Sequence, residues 1–179
     1  GEYIVAGTTS HTVYLFGKDS SAPLWTYTLD DGSFNCISIS SDGEYITVGD
    51  GGGQIHLFDK DSSTPLWSYD TDSSINSVSN SADGEYIVVG ADKVYLFDKD
   101  SSTPLWSYDT GDNVRTVSIS ASGEYIFAGS FNKKIFLFDK DSSTPLWRYT
   151  TDSYPVHNQA SSISADGKYI TIGTDVVVY

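Results

Sequence analysis

The chain has 179 residues, of which 39% are apolar and 14% aromatic, enough to form one domain with a buried core. Its formal net charge of −14 disfavours nucleic acid and acidic membrane surfaces as partners, because binding to both relies on clustered lysine and arginine. The single cysteine, Cys36, excludes an intrachain disulfide and a cysteine-based metal site.

The sequence is organised by two recurring markers. The first, Gly-Glu-Tyr-Ile or Gly-Lys-Tyr-Ile, begins at Gly1, Gly43, Gly84, Gly123 and Gly167. It divides the chain into repeats 1–42, 43–83, 84–122 and 123–166 and a partial repeat, 167–179. The second marker is a polar turn followed by Leu-Trp, and residues 59–71 recur letter for letter as 98–110.

The third repeat illustrates the predicted strands. Residues 85–89, 93–97, 105–108 and 114–120 are rich in β-branched and aromatic side chains and are separated by short polar turns. Segments such as 94–97 are apolar at consecutive positions, so both faces of each four-stranded sheet need to be covered. Radial stacking of sheets achieves this, and a period near 40 residues is typical of propeller blades. We therefore predict an all-β propeller of four-stranded antiparallel blades.

The repeats resemble two propeller families. The hairpin 118–126 is similar to the inner hairpin of WD-repeat blades, although Phe-Asp stands where those blades have Trp-Asp. The segment 97–106 more closely resembles the repeat of quinoprotein (PQQ-type) propellers. This resemblance implies buried tryptophans that dock between neighbouring blades as structural anchors: Trp25, Trp67, Trp106 and Trp147.

The same resemblance implies an order of strands within each blade. In the order A to D from inside to outside, the chain begins at strand B, passes through three complete blades and ends in a last strand C at 176–179, which makes eighteen strands. A closed four-bladed ring would leave two strands surplus, so we expect an arc of a larger propeller with open edges. The chain contains no methionine, and we expect it to be a processed product or part of a longer protein.

No catalytic residue is predicted. Residues 51–53 are three glycines in a turn between strands, which opens no helix and is not a phosphate loop. The histidines His11, His56 and His157 are scattered over different blades. His56 replaces an aromatic residue of the other repeats and is expected to be half-buried in its strand. A quinoprotein cofactor site would need several polar residues, a calcium ion and often vicinal cysteines, so the resemblance implies the blade and not the cofactor.

The polar turns raise the question of calcium. They carry paired aspartates at Asp59 and Asp61, Asp98 and Asp100, and Asp139 and Asp141. A calcium loop needs about six to eight oxygen ligands and usually a glycine and a distal carboxylate, which these turns lack. We expect each first aspartate to cap its own turn, and we predict neither a metal nor a cofactor.

The most informative positions are those at which the repeats differ. The starts of the predicted inner strands align four unlike polar residues: Asn35, Asn76, Arg115 and Gln159. Asn80 places an amide where the other repeats have isoleucine, and 151–157 is the least regular loop. In related propellers this region lies near one rim of the central channel, so these four residues are the predicted binding surface. The alternative is sequence drift in tolerant loops.

We therefore predict a non-catalytic propeller that acts as a scaffold or binding module for a protein or another ligand. One alternative is part of a PQQ-dependent oxidoreductase. Another is a structural protein that self-associates through exposed blade edges. No apolar run is long enough to cross a bilayer, and an extracytoplasmic or cell-surface location is favoured.

Overall fold

The computed structural model describes residues 1–8, 10–29, 33–151 and 156–174, with only the backbone of 157–160 and Thr174. The described residues form seventeen strands in five antiparallel sheets. They contain no helix, and hence none that is long and apolar enough to span a membrane. The predicted eighteenth strand, at 176–179, lies outside the described residues.

Each sheet is a meander of consecutive strands, and we number the sheets as blades one to five. Blade one contains β1 (Tyr3–Gly7), β2 (Thr12–Gly17) and β3 (Pro23–Thr28). Blade two contains β4 (Phe34–Ile39), β5 (Tyr45–Asp50), β6 (Gln54–Asp59) and β7 (Trp67–Asp70). Blade three contains β8 (Ser77–Asn80), β9 (Tyr86–Gly90), β10 (Val94–Asp98) and β11 (Trp106–Tyr108).

Blade four contains β12 (Val114–Ile119), β13 (Tyr125–Ser130), β14 (Lys134–Asp139) and β15 (Trp147–Thr150). The described part of blade five contains β16 (Val156–Ile163) and β17 (Ile170–Thr174). The strands predicted for the third repeat agree with β9 to β12 to within about one residue at each end. The sheets stand side by side without closing, so the propeller is partial.

Three apolar clusters hold the blades together. Val13 and Leu15 of blade one pack with Ile46 and Phe58 of blade two. A second cluster joins blades two and three, and a third joins blades three and four. Blades two and three are therefore covered on both faces, as their continuous apolar strands require.

A chain of backbone hydrogen bonds also crosses the blades. The turn between the first two strands of blade two donates from Ser41 N to Ala82 O over 2.9 Å. The equivalent turn of blade three donates from Ala82 N to Ala121 O over 2.9 Å, and blade four from Ala121 N to Ala165 O over 3.1 Å. This places the inner strands β4, β8, β12 and β16 next to one another along the inside of the arc.

Candidate binding rim and inner cleft

The tryptophans of the first three repeats lie between neighbouring blades. Trp67 Nε1 donates a 2.7 Å hydrogen bond to the carbonyl oxygen of Lys99, in the next blade. Trp25 and Trp106 make the same bond to Lys60 and Lys140, at 2.8 and 2.7 Å. These three tryptophans were predicted to be buried but are half-buried, because they lie on the outermost strands of their blades.

Trp147 differs from the other three tryptophans. It is 42% exposed, and Tyr149 on the same strand is 55% exposed. The part of the fifth repeat that would face Trp147 comes after Thr174 and so lies outside the described residues.

The aspartates of the polar turns hydrogen-bond within their own turns. The Oδ1 atoms of Asp59, Asp98 and Asp139 accept from the backbone nitrogen two residues later, at 2.8, 2.8 and 2.9 Å. In blade three, ligand atoms of Glu85, Asp98 and Asp100 lie within 4.8 Å of one another, as a cation site would require. However, Lys99 Nζ lies 2.9 Å from Asp100 and 3.4 Å from Glu85, so an ammonium already pairs with two of these three carboxylates. The hydrogen bond with Asp100 raises the pKa of Lys99.

His56 is more deeply buried than the sequence predicted. Its side chain is 6% exposed, because Tyr27 of blade one covers the imidazole at 5.4 Å between ring centroids. Nδ1 lies 2.8 Å from Ser68 Oγ on the adjacent strand. Burial lowers the pKa of His56, partly offset by the negative charge of Asp50. A neutral, packed imidazole is a structural residue.

The inner strands enclose a cleft of about 260 Å³. Six of its lining residues carry hydroxyl groups, and these are Ser77, Ser79, Thr116, Ser118, Ser161 and Ser162. Several of the hydroxyls connect neighbouring blades. Ser77 Oγ accepts from Val117 N at 3.1 Å, and Thr116 Oγ1 lies 2.7 Å from Ser161 Oγ. The wall is thus a network of small hydroxyls between isoleucine and valine side chains.

Cys36 is the one ionisable residue that lines this cleft. Burial raises the pKa of its thiol to about 12, partly countered by a backbone hydrogen bond with Gly49. The thiol is therefore protonated near neutral pH, and a protonated thiol is a poor nucleophile and a poor metal ligand.

The predicted rim residues occupy irregular positions at one end of the inner strands. The pairing of β4 with β5 shifts register between Phe34 and Cys36, and that of β12 with β13 between Val114 and Thr116. Asn35 and Arg115 are therefore the extra residues of two β-bulges, which commonly redirect a side chain. Asn76 lies immediately before β8.

Two of the rim amides connect adjacent blades. Asn35 Nδ2 donates to the carbonyl oxygen of Ile75 at 3.1 Å and to Ser74 Oγ at 3.1 Å. Asn76 Nδ2 donates to the carbonyl oxygen of Val114 at 3.0 Å. These bonds between blades give both amides a structural role.

Arg115 takes the same position in blade four but makes a different contact. Its guanidinium carbon lies 4.7 Å from the centroid of the Phe131 ring, within the range of a cation–π interaction. Phe131 itself is 44% exposed. Phe131 is not among the residues predicted from the sequence, although it stands at the position that Gly51 occupies in blade two.

The remaining predicted positions are less fully described. The side chain of Gln159 and residues 152–155 of the irregular loop lie outside the described part of the chain. Asn80 is described: its backbone nitrogen donates to Ser38 Oγ at 3.1 Å, and its Nδ2 to the carbonyl oxygen of Tyr45 at 3.3 Å. The amide at this apolar position therefore fastens blade three to blade two.

Comparison with known proteins places these features in a family. A family model described as outer membrane protein assembly factor BamB matches residues 3–175, nearly the whole chain. Comparison with curated proteins finds no match. The family match spans all five described sheets, whose radial packing is that of a PQQ-type propeller. The chain therefore belongs to the PQQ_2 family of propeller repeat proteins, whose family model carries the BamB description.

Proposed function

We propose that this propeller is a non-catalytic protein-binding scaffold that holds no metal or cofactor. The observation that carries the proposal is the chemistry of the inner cleft. Catalysis requires unlike groups placed around one centre, whereas this cleft is lined by serine, threonine, valine, isoleucine and one cysteine. The hydroxyls of Ser77, Thr116 and Ser161 bond to neighbouring blades and serve the fold.

The binding part of the proposal rests on the rim. Asn35, Asn76 and Arg115 occupy equivalent positions on three adjacent blades, and their side chains make different contacts. Variation on a rigid framework is how repeat proteins create a binding surface. The family's description refers to an assembly factor for outer membrane proteins, and this supports a protein partner and an extracytoplasmic location for this chain.

Photocrosslinking from the rim tests the binding function. A benzophenone amino acid replaces Asn76 on the rim in one variant and Ser107 on the outer strand β11 in a control variant. We expect discrete adducts of defined mass from position 76 in the native cell and none from position 107. Equal or absent crosslinking at the two positions would contradict binding through the rim.

The alternative of a PQQ-dependent oxidoreductase is tested separately. PQQ and calcium are added to the purified chain, and tryptophan fluorescence and the reduction of a redox dye are measured. We expect no saturable quenching and no dye reduction. Saturable quenching together with turnover would replace the scaffold proposal with an enzymatic one.

Self-association through blade edges is a second candidate function, which the exposure of Trp147 and Tyr149 favours. In the first three repeats the next blade covers the equivalent tryptophan. An edge of another copy could cover Trp147 in the same way. Light scattering over a concentration series should then show oligomers that the Trp147→Ser variant does not form, and a monomer at all concentrations would exclude this function.

A further inference from the structure

The turn between the second and third strands differs between blades two and four. Blade two has three consecutive glycines there, at 51–53, followed by Gln54. Blade four has Phe131, Asn132 and Lys133, followed by Lys134. The two turns have the same length, so each side chain of blade four can be compared with its counterpart in blade two.

The backbone of the two turns is also alike at the third residue, which is Gly53 in blade two and Lys133 in blade four. Thr71 N donates to the carbonyl of Gly53 at 3.0 Å, and Thr151 N donates to that of Lys133 at 2.8 Å. Gly53 has φ of 102° and Lys133 has φ of 69°. Glycine adopts this left-handed region freely, whereas lysine pays a steric penalty there. Such strain in a chain that uses glycine for the same turn indicates that the lysine side chain has a role.

The charges of blade four support this interpretation. The segment 114–150 contains five of the ten basic residues of the chain and only three of its 24 acidic ones. Lysines elsewhere in the described residues form ion pairs, and these are Lys18, Lys60, Lys93, Lys99, Lys140 and Lys168. In contrast, no carboxylate of the described residues lies within ion-pair distance of Lys133 or Lys134. Among the described residues, these two consecutive lysines therefore have no ion-pair partner, in a protein of net charge −14.

The same turn of blade four carries an exposed aromatic ring. Phe131 is 44% exposed, and the Arg115 guanidinium stacked against it restrains the ring. Restrained aromatic and arginine side chains are the residue types that dominate protein–protein binding energy. Asp112, an acidic residue of the loop before β12, accepts a hydrogen bond from Asn113 N at 2.8 Å, so it is engaged in its own loop.

We propose that Phe131, Lys133 and Lys134, with Arg115 positioning the ring, bind a short acidic peptide segment that also carries an apolar side chain. This inference rests on the protein-binding function proposed above and names the chemistry of its partner. The carboxylates would pair with the two lysines, and the apolar side chain would cover Phe131. Large polyanions fit less well, because the acidic remainder of the protein repels them beyond this rim.

Binding of a fluorescein-labelled hexapeptide of alternating glutamate and phenylalanine, followed by fluorescence anisotropy, tests the proposal. The key variant carries F131G, N132G and K133G, which gives blade four the turn that blade two already folds with. We expect it to weaken binding at least about tenfold, as loss of a central contact does. Lys134→Gln should weaken binding about threefold, in the range of an exposed charge pair. Lys168→Gln, the same charge change at the opposite ends of the strands, should have no effect.

Five outcomes decide the proposal. The proposal is supported if peptide affinity falls only in the blade-four variants and if added salt weakens peptide binding to the wild type. Equal loss in Lys168→Gln would show that only overall charge matters, and unchanged affinity in the triple variant would exclude this rim. Tighter binding of phosphatidylglycerol vesicles or single-stranded DNA at the same residues would assign a different class of partner. If crosslinking from position 76 persists in the triple variant, the assignment to Phe131, Lys133 and Lys134 is wrong, while protein binding through the rim stands.

Discussion

Trp67 and Lys99 join two blades through one hydrogen bond, from the indole Nε1 to the backbone carbonyl oxygen at 2.7 Å. The same indole packs on Phe97 of the next blade, with ring centroids 5.4 Å apart. Since a backbone carbonyl accepts the bond, the contact depends on the position of the turn and not on the lysine side chain. Each of the first three repeats therefore contributes an anchor to the stability of its neighbour.

Removal of such an anchor should destabilise the arc. We expect Trp106→Ala to lower the free energy of unfolding by about 3 kcal/mol, through lost packing and an unpaired carbonyl at Lys140. Trp147→Ala is the matched control, because it occupies the same strand position but is 42% exposed. It should change stability by less than about 1 kcal/mol. Urea unfolding measures both, and equal effects would contradict the anchoring role of Trp106.

The glycines that begin the four later markers, Gly43, Gly84, Gly123 and Gly167, should resist substitution for two reasons. Gly123 has φ of 77°, and a Cβ atom there would lie 2.5 Å from Tyr86 Cδ2 in the preceding blade. We expect Gly123→Ala to cost about 2–4 kcal/mol, from left-handed strain and overpacking. Gly17→Ala should be tolerated, because a Cβ at Gly17 meets no atom within 4 Å. Thermal unfolding of the two variants would refute this explanation if both lost the same stability.

His56 should make stability depend on pH. Its folded pKa lies below the ordinary value of 6.5, because burial disfavours the imidazolium. The unfolded state therefore binds the proton more tightly, so stability is full above about pH 6.5 and falls as the pH decreases towards the folded pKa. His56→Phe, which introduces the residue found at Phe136, should remove this part of the pH dependence. Denaturation of wild type and variant at several pH values between 7 and 5 measures how the free energy of unfolding changes with pH. The same change in both proteins would contradict the role of His56.

Cys36 should be unreactive in the folded protein. The thiol is 6% exposed, and its pKa is raised to about 12. Because the thiolate is the reactive form, a disulfide reagent at pH 8 should modify Cys36 far more slowly in native protein than in urea. Cys36→Ser is the control without a thiol, and it introduces the residue that the next blade has at the equivalent position, Ser77. Rapid stoichiometric modification without denaturant would show that the inner cleft opens.

Part of the candidate site could be predicted from the sequence. The alignment of Asn35, Asn76 and Arg115 identifies one position in each repeat, because side chains at equivalent positions of stacked blades fall on the same rim. It does not reveal that Asn35 and Asn76 are bonded to the next blade, since their acceptors lie some 40 residues further along the chain. The contact of Phe131 with Arg115 is likewise set by a β-bulge, for which the residue types give no signal.

The amino-acid sequence by itself determined the period, the strands, the blade architecture and the tryptophans between blades. These follow from local preferences repeated along the chain, so every repeat supplies the same information again. Only the tertiary structure decided the depth at which His56 is buried, the pairing of hydroxyls across the inner strands and the distance of Lys133 and Lys134 from the carboxylates of the described residues. These properties depend on distances between different blades, and such distances arise only when the sheets stack.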